Sequence, residues 1–203
     1  MNKVEKEKLL LVEGKDELRV FNTIISSLNI LNIQVIEYKG KTGLSDFLKN
    51  VLIKDPKFIS KNILSISIIR DADDSSSGAF NSVCSALKNN GLDVPQKISE
   101  KTNGNPIISV LILPGNERIG SLEDIFIESV KDEEVFLCVE EYFKCLKEKQ
   151  GNIPNQIGKA KVHTYLASKV IDPDKRLAES VEANFWNFNH TAFEQLINFI
   201  KQL

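Results

Sequence analysis

Two acidic clusters in this chain each follow an apolar run. Leu9-Leu10-Leu11-Val12 leads into Glu13-Gly14-Lys15-Asp16-Glu17, and the stretch from Ile63 to Ile69 leads into Arg70-Asp71-Ala72-Asp73-Asp74. Each run reads as a buried strand that ends in carboxylates, and parallel α/β sheets place their chemistry at the carboxyl ends of their strands. If the two strands are neighbours, Glu13, Asp71 and Asp73 converge. Clustered carboxylates repel one another, and a divalent cation offsets that cost. Hard oxygen donors suit Mg²⁺, with Mn²⁺ as a substitute.

Blander roles compete for several of these residues. Asp16 and Glu17 fall in a first helical turn, where a negative charge favours the helix dipole. Asp74 suits a helix cap. Ser121 and Asp124 have the spacing of a capping box. Gly40-Lys41-Thr42 lacks the glycine that a Walker A loop needs five residues earlier, where Val35 stands, so it reads as a turn. Phe185, Trp186 and Phe188 read as an anchor for the last helix rather than a base-stacking platform. His163 reads as structural and His190 as a cap or surface group. Cys138 and Cys145, seven apart on an expected helix, read as core packing.

The elements that must position the acids follow from periodicity. Residues 8–12, 33–38, 63–69 and 107–113 read as strands. Helical spacing covers 16–28, 44–52 and 80–87, with Gly91 as a stop. Alternating strands and helices imply a parallel sheet with right-handed crossovers. After residue 120 only helices are expected, over 122–130, 133–149, 157–170 and 191–203. The reading is a Rossmann-like α/β core over 1–130 with a helical C-terminal part, 131–203, packed on it as one compact unit.

Bulk properties agree with a water-soluble protein. The 203 residues are 42% hydrophobic and 27% charged, with a net charge of −2. Such a balance argues against a protein wholly devoted to coating nucleic acid, but not against an enzyme that handles it locally. Three cysteines without a CxxC pair, and a polar lead from Met1 to Lys8, imply a reducing cytoplasm and no signal segment. No stretch approaches a membrane span.

Val12 to Glu17 and Arg70 to Asp73 resemble the glutamate and DxD motifs of Toprim domains, found in topoisomerases, bacterial primases, recombination proteins and OLD-family nucleases. Glu13 and Asp71 stand 58 residues apart with a strand–helix pair between them, as in a Toprim fold. Gly120-Ser121-Leu122-Glu123-Asp124 resembles the motif that supplies further metal ligands in OLD-type nucleases. The whole chain is similar to small stand-alone bacterial Toprim-like proteins related to the OLD catalytic domain. That resemblance implies metal ligands at Glu13, Glu17, Asp71, Asp73, Ser121 and Glu123. It implies a catalytic role for Glu13 and for a lysine in a later helix, Lys159 or Lys161. It also implies Mg²⁺- or Mn²⁺-dependent phosphodiester hydrolysis on DNA or RNA. Lys15, Lys39, Lys41, Arg70 and Arg118 lie near the expected strand ends, where they could track a phosphate backbone. OLD nucleases carry an ATPase domain, so a separate ATPase or other protein partner is expected, and oligomerisation is left open. The competing reading is a non-catalytic, metal-binding interaction module. A topoisomerase would need a nucleophilic tyrosine, and Tyr38, Tyr142 and Tyr165 have no recognisable context for that role.

Overall fold

The computed structural model describes residues 4–203; Met1 to Lys3, the start of the polar lead, lie outside the described residues. Four strands form one parallel sheet: β1 (Lys8–Val12), β2 (Ile33–Glu37), β3 (Ser65–Asp71) and β4 (Ile107–Leu113), in the order β2-β1-β3-β4. β1 and β3, the two strands that end in acids, are therefore adjacent and central. Their register pairs Leu11 with Ile68, while β1 and β2 pair Val12 with Glu37.

Side chains alternate across the sheet. Leu10 and Val12 of β1, Ile69 of β3, and Leu111 and Leu113 of β4 join one buried cluster. Leu9 and Leu11, Ile36, Ile66 and Ile68, and Ile108, Val110 and Ile112 join a second cluster on the opposite face. A parallel sheet covered on both faces reads as continuous apolar runs, as these strands do.

The first face is covered by α1 (Lys15–Ser27), α5 (Leu122–Glu128), α7 (Ile157–Ala167), α8 (Leu177–Glu182) and α9 (Glu194–Lys201), whose apolar residues belong to the same cluster as Val12 and Leu113. α6 (Glu134–Gln150) adds Phe136, Val139 and Phe143 to it. The second face is covered by α2 (Gly43–Phe47), which continues into a π-helical turn at Leu48–Leu52, and by α4 (Ser76–Asn89). α3 (Pro56–Ile59) is a single turn capped by Asp55.

Several local expectations shift. The Ser75–Gly78 stretch, readable from sequence as a loop or a helix start, is the start of α4: Ser75 caps the helix by accepting a 3.0 Å hydrogen bond from the Gly78 amide. The helix expected over 157–170 stops at Ala167, leaving Val170 exposed. Cys138 and Cys145 are exposed and not core residues. The buried stripe of α6 runs through Phe136, Val139 and Phe143, and the two cysteines fall outside it. Trp186 does anchor the C-terminal region: it is buried, 4.8 Å from the Phe126 ring edge-to-face, and its indole donates to Ser180 Oγ at 2.8 Å. His190 caps the short 3₁₀ turn at Thr191–Phe193, its Nδ1 accepting from the Ala192 amide at 3.1 Å. Among the described residues no helix is long and apolar enough to cross a membrane.

Candidate metal centre

Glu13 follows the last residue of β1, and Asp71 is the last residue of β3, so adjacent strands deliver both acids to one sheet edge. Alternation sends them to opposite sides of that edge. Asp71 shares the face of Ile69, beneath α1 and α5. Glu13 shares the face of Leu11, toward α2 and α4.

On the α5 side, Asp71 Oδ1 accepts a 2.9 Å hydrogen bond from the Leu122 amide, at the N-terminus of α5. That bond satisfies one of the amide groups a helix start leaves without an internal partner. The Asp71 carboxyl is nonetheless held well above the ordinary aspartate range, first by burial, then by the negative charges of Glu123 and Glu17, with Glu13 adding to the effect. Glu17, in the first turn of α1, is also pushed up. Burial is the main cause, Glu123 and Asp16 add to it, and the Lys159 ammonium opposes it. Glu17, Asp71, Glu123 and Lys159 thus form one electrostatic group.

On the opposite side, burial raises Glu13, with Arg70 as the strongest opposing charge and Lys41 second; Glu17 and Asp73 push it further up. Asp73 takes a left-handed backbone, φ 50°, and forms a two-way bridge with Gly120, each amide donating to the other's carbonyl at 2.8 Å. Its carboxylate pairs with Lys41 at 2.6 Å. The loop bearing Lys41 is tied down where the Gly40 amide donates to the Glu13 carbonyl at 2.8 Å.

Two glycines make the arrangement sterically feasible. Gly120 has φ 127°, and a Cβ there would lie 2.4 Å from Asp124 Oδ2. Gly14 is extended, a conformation open to any residue. Its missing side chain instead leaves room for Glu17, whose Oε2 would lie 2.8 Å from a Cβ at that position.

The remaining sequence candidates divide. Lys159 is exposed on α7 and acts on Glu17, whereas Lys161 is held by Glu140 on α6 at 2.6 and 2.8 Å. Ser121 turns its hydroxyl to Asp124 Oδ2, 3.3 Å away, and its amide donates to the same oxygen at 2.7 Å, which is the capping arrangement. Lys15 and Lys39 are exposed beside the strand ends. Arg70 donates to Ser82 Oγ at 2.9 Å. Arg118 lies off the acidic edge, lining a polar groove of about 660 Å³ with Asn116, Glu128 and Gln195. Sequence reasoning passed over Tyr38. It is buried, its hydroxyl has no hydrogen-bond partner, and Glu13, Arg70 and Asp71 are the charges that act on it most. The sequence marks it only as the residue that ends a strand; the sheet order sets it beside Glu13.

Among the described residues no three His, Cys, Asp or Glu side chains are already gathered into a ligand cluster. The donor chemistry still fits a hard divalent cation. Three partly buried carboxyls are held above their ordinary range by burial and by one another, and a cation at that edge would offset both costs.

Comparisons with known proteins bear on the fold. Over 98% of both chains, the structure resembles the C-terminal region of the Burkholderia pseudomallei OLD protein, with a TM-score of 0.52 and 12% identity. Two structures of the C-terminal region of the Xanthomonas campestris pv. campestris OLD protein also match. One covers 98% of this chain and 86% of that one, with TM-score 0.37 and 15% identity; the other covers 97% and 96%, with TM-score 0.41 and 14% identity. No curated protein matches the chain. The family model described as "Protein of unknown function (DUF3226)" matches residues 7–203, and the chain belongs to that family.

Proposed function

We propose that this protein is a divalent-cation-dependent phosphodiesterase acting on nucleic acid, of the Toprim/OLD type. The observation that carries this reading is the grouping of Asp71, Glu17 and Glu123 around the start of α5, with the Lys159 ammonium acting on Glu17 and with Glu13 across the sheet edge. The motif resemblance and the fold shared with an OLD C-terminal region support it.

Glu13, Asp71 and Asp73 would hold one Mg²⁺ or Mn²⁺, and Glu17 and Glu123 a second. Such ions, when bound, activate the attacking water and stabilise the leaving oxygen. Lys159 places an ammonium where charge builds on the reacting phosphate. Lys41, Arg70 and Lys15 surround the same edge and would hold the backbone of the bound strand. A separate ATPase chain is a fitting partner.

A second reading, a cation-binding interaction module without catalysis, is favoured by the Lys41–Asp73 pair, which already neutralises one of the acids. The experiment is cleavage of plasmid DNA and of single-stranded DNA and RNA in Mn²⁺ or Mg²⁺. The nuclease reading requires cleavage by the wild type and its loss in Asp71→Ala. The module reading requires cation binding with no cleavage of any of these.

A further inference from the structure

The β2-β1-β3 order sets Glu13 between two neighbours. Because Val12 pairs with Glu37, the next residues, Glu13 and Tyr38, stand level, and the Tyr38 amide donates to the Val12 carbonyl at 2.9 Å. Because Leu11 pairs with Ile68, continuing the register by two residues sets Arg70 level with Glu13 on its other side. Alternation places all three side chains on the face of Leu11, Ile36 and Ile68. Lateral neighbours in a sheet are about 4.8 Å apart, so a tyrosine and an arginine flank one glutamate.

Both flanking groups carry an unspent donor. Tyr38 is only 2% exposed, and its hydroxyl is buried without a partner. Arg70 Nε is likewise buried without a partner, although its Nη1 reaches Ser82. A buried donor left unsatisfied is costly, and native structures rarely keep two side by side. The register sets the Glu13 carboxyl between these two donors.

We propose that Tyr38 and Arg70 form a two-donor clamp that seats the Glu13 carboxylate when the edge takes up a divalent cation. One Glu13 oxygen accepts from the Tyr38 hydroxyl and from Arg70 Nε–H, leaving the other free for the cation. In the clamp both are positioning residues: the Tyr38 hydroxyl and Arg70 Nε act through Glu13 and not on the cation itself. The clamp rests on the cation-site reading above. Outer partners of this kind fix the orientation of a ligating carboxylate, and losing one costs roughly 10–100-fold in metal affinity.

The test is Tyr38→Phe in the full chain, with two measurements. Calorimetric titration with Mn²⁺ should show affinity reduced by about 10-fold or more relative to wild type. Thermal unfolding in EDTA should show a Tm equal to wild type or higher by about 2–4 °C, since the substitution removes an unsatisfied buried hydroxyl and keeps the ring. A hydroxyl serving only the fold would give the reverse: lower Tm in EDTA, or failure to fold, with unchanged Mn²⁺ affinity, and either result overturns the clamp. Equal affinity in the variant and a wild type that does bind Mn²⁺ overturns the clamp while the cation site stands. A wild type that binds no Mn²⁺ overturns both.

Discussion

Asp71 accepts a 2.9 Å hydrogen bond from the amide of Leu122, so the end of the β3 strand and the start of α5 are one structural joint. The joint brings Glu123 to Asp71 and Glu17, and it is reinforced by the Asp73–Gly120 bridge next to it. Two of the three acidic segments are thereby tied together, by the Asp71–Leu122 bond and by the Asp73–Gly120 backbone bridge.

Asp71→Asn keeps the acceptor for the Leu122 amide and removes a buried charge that Glu123 and Glu17 oppose. The variant should fold and, in EDTA, melt about 2–4 °C above wild type. Its Mn²⁺ affinity should fall by more than the roughly 10–100-fold that an outer-partner change costs. Differential scanning calorimetry and Mn²⁺ titration check the two halves.

The pH dependence has a definite sign. Glu13, Glu17 and Asp71 are all raised in the folded protein. Between the ordinary carboxyl value of about 4 and the raised folded values, the folded state binds more protons than the unfolded one, so stability falls as pH rises through that window. Urea unfolding in EDTA should therefore give a lower midpoint at pH 7 than at pH 5 on account of these groups. Mg²⁺ should recover part of the difference at pH 7, because it binds the deprotonated carboxylates. Comparing the wild-type slope with that of Asp71→Asn isolates the contribution of the site.

Lys159 and Lys161 separate by role. Lys161→Ala breaks the pair with Glu140 and should cost about 0.2–1 kcal/mol of stability, with cleavage rates near wild type. Lys159→Ala should leave stability unchanged and lower kcat by roughly 10²–10³-fold. Paired urea melts and cleavage kinetics distinguish them.

Gly14→Ala tests the space left for Glu17. The backbone there is extended and tolerates alanine, but the new Cβ would meet Glu17 Oε2. The side chain is flexible, so it would swing away and the fold would stand. Tm in EDTA should stay within about 2 °C of wild type, corresponding to under roughly 0.5 kcal/mol, while Mn²⁺ affinity drops.

The strands were legible because a sheet buried on both faces leaves uninterrupted apolar runs, and the acids directly after two of them marked the working edge. The short helix over Leu177–Glu182 was not legible. It spans fewer than two turns, and its burial depends chiefly on α1, which is distant in sequence. The exposed Cys138 and Cys145 were misread because spacing seven shows that two residues share a face, not which face the core uses. Tyr38 looked like an ordinary strand residue. Its meaning depends on β2 lying beside β1 in a register that levels it with Glu13, which only the assembled sheet provides.

The most direct measurement is anomalous diffraction from crystals of the full chain soaked in Mn²⁺. The expected result is one or two peaks at the sheet edge, within about 2.0–2.3 Å of carboxylate oxygens of Glu13, Glu17, Asp71, Asp73 or Glu123, and their loss in Asp71→Asn. No peak at this edge at Mn²⁺ concentrations that saturate binding in solution, or peaks only elsewhere on the chain, would contradict the assignment of a cation site there.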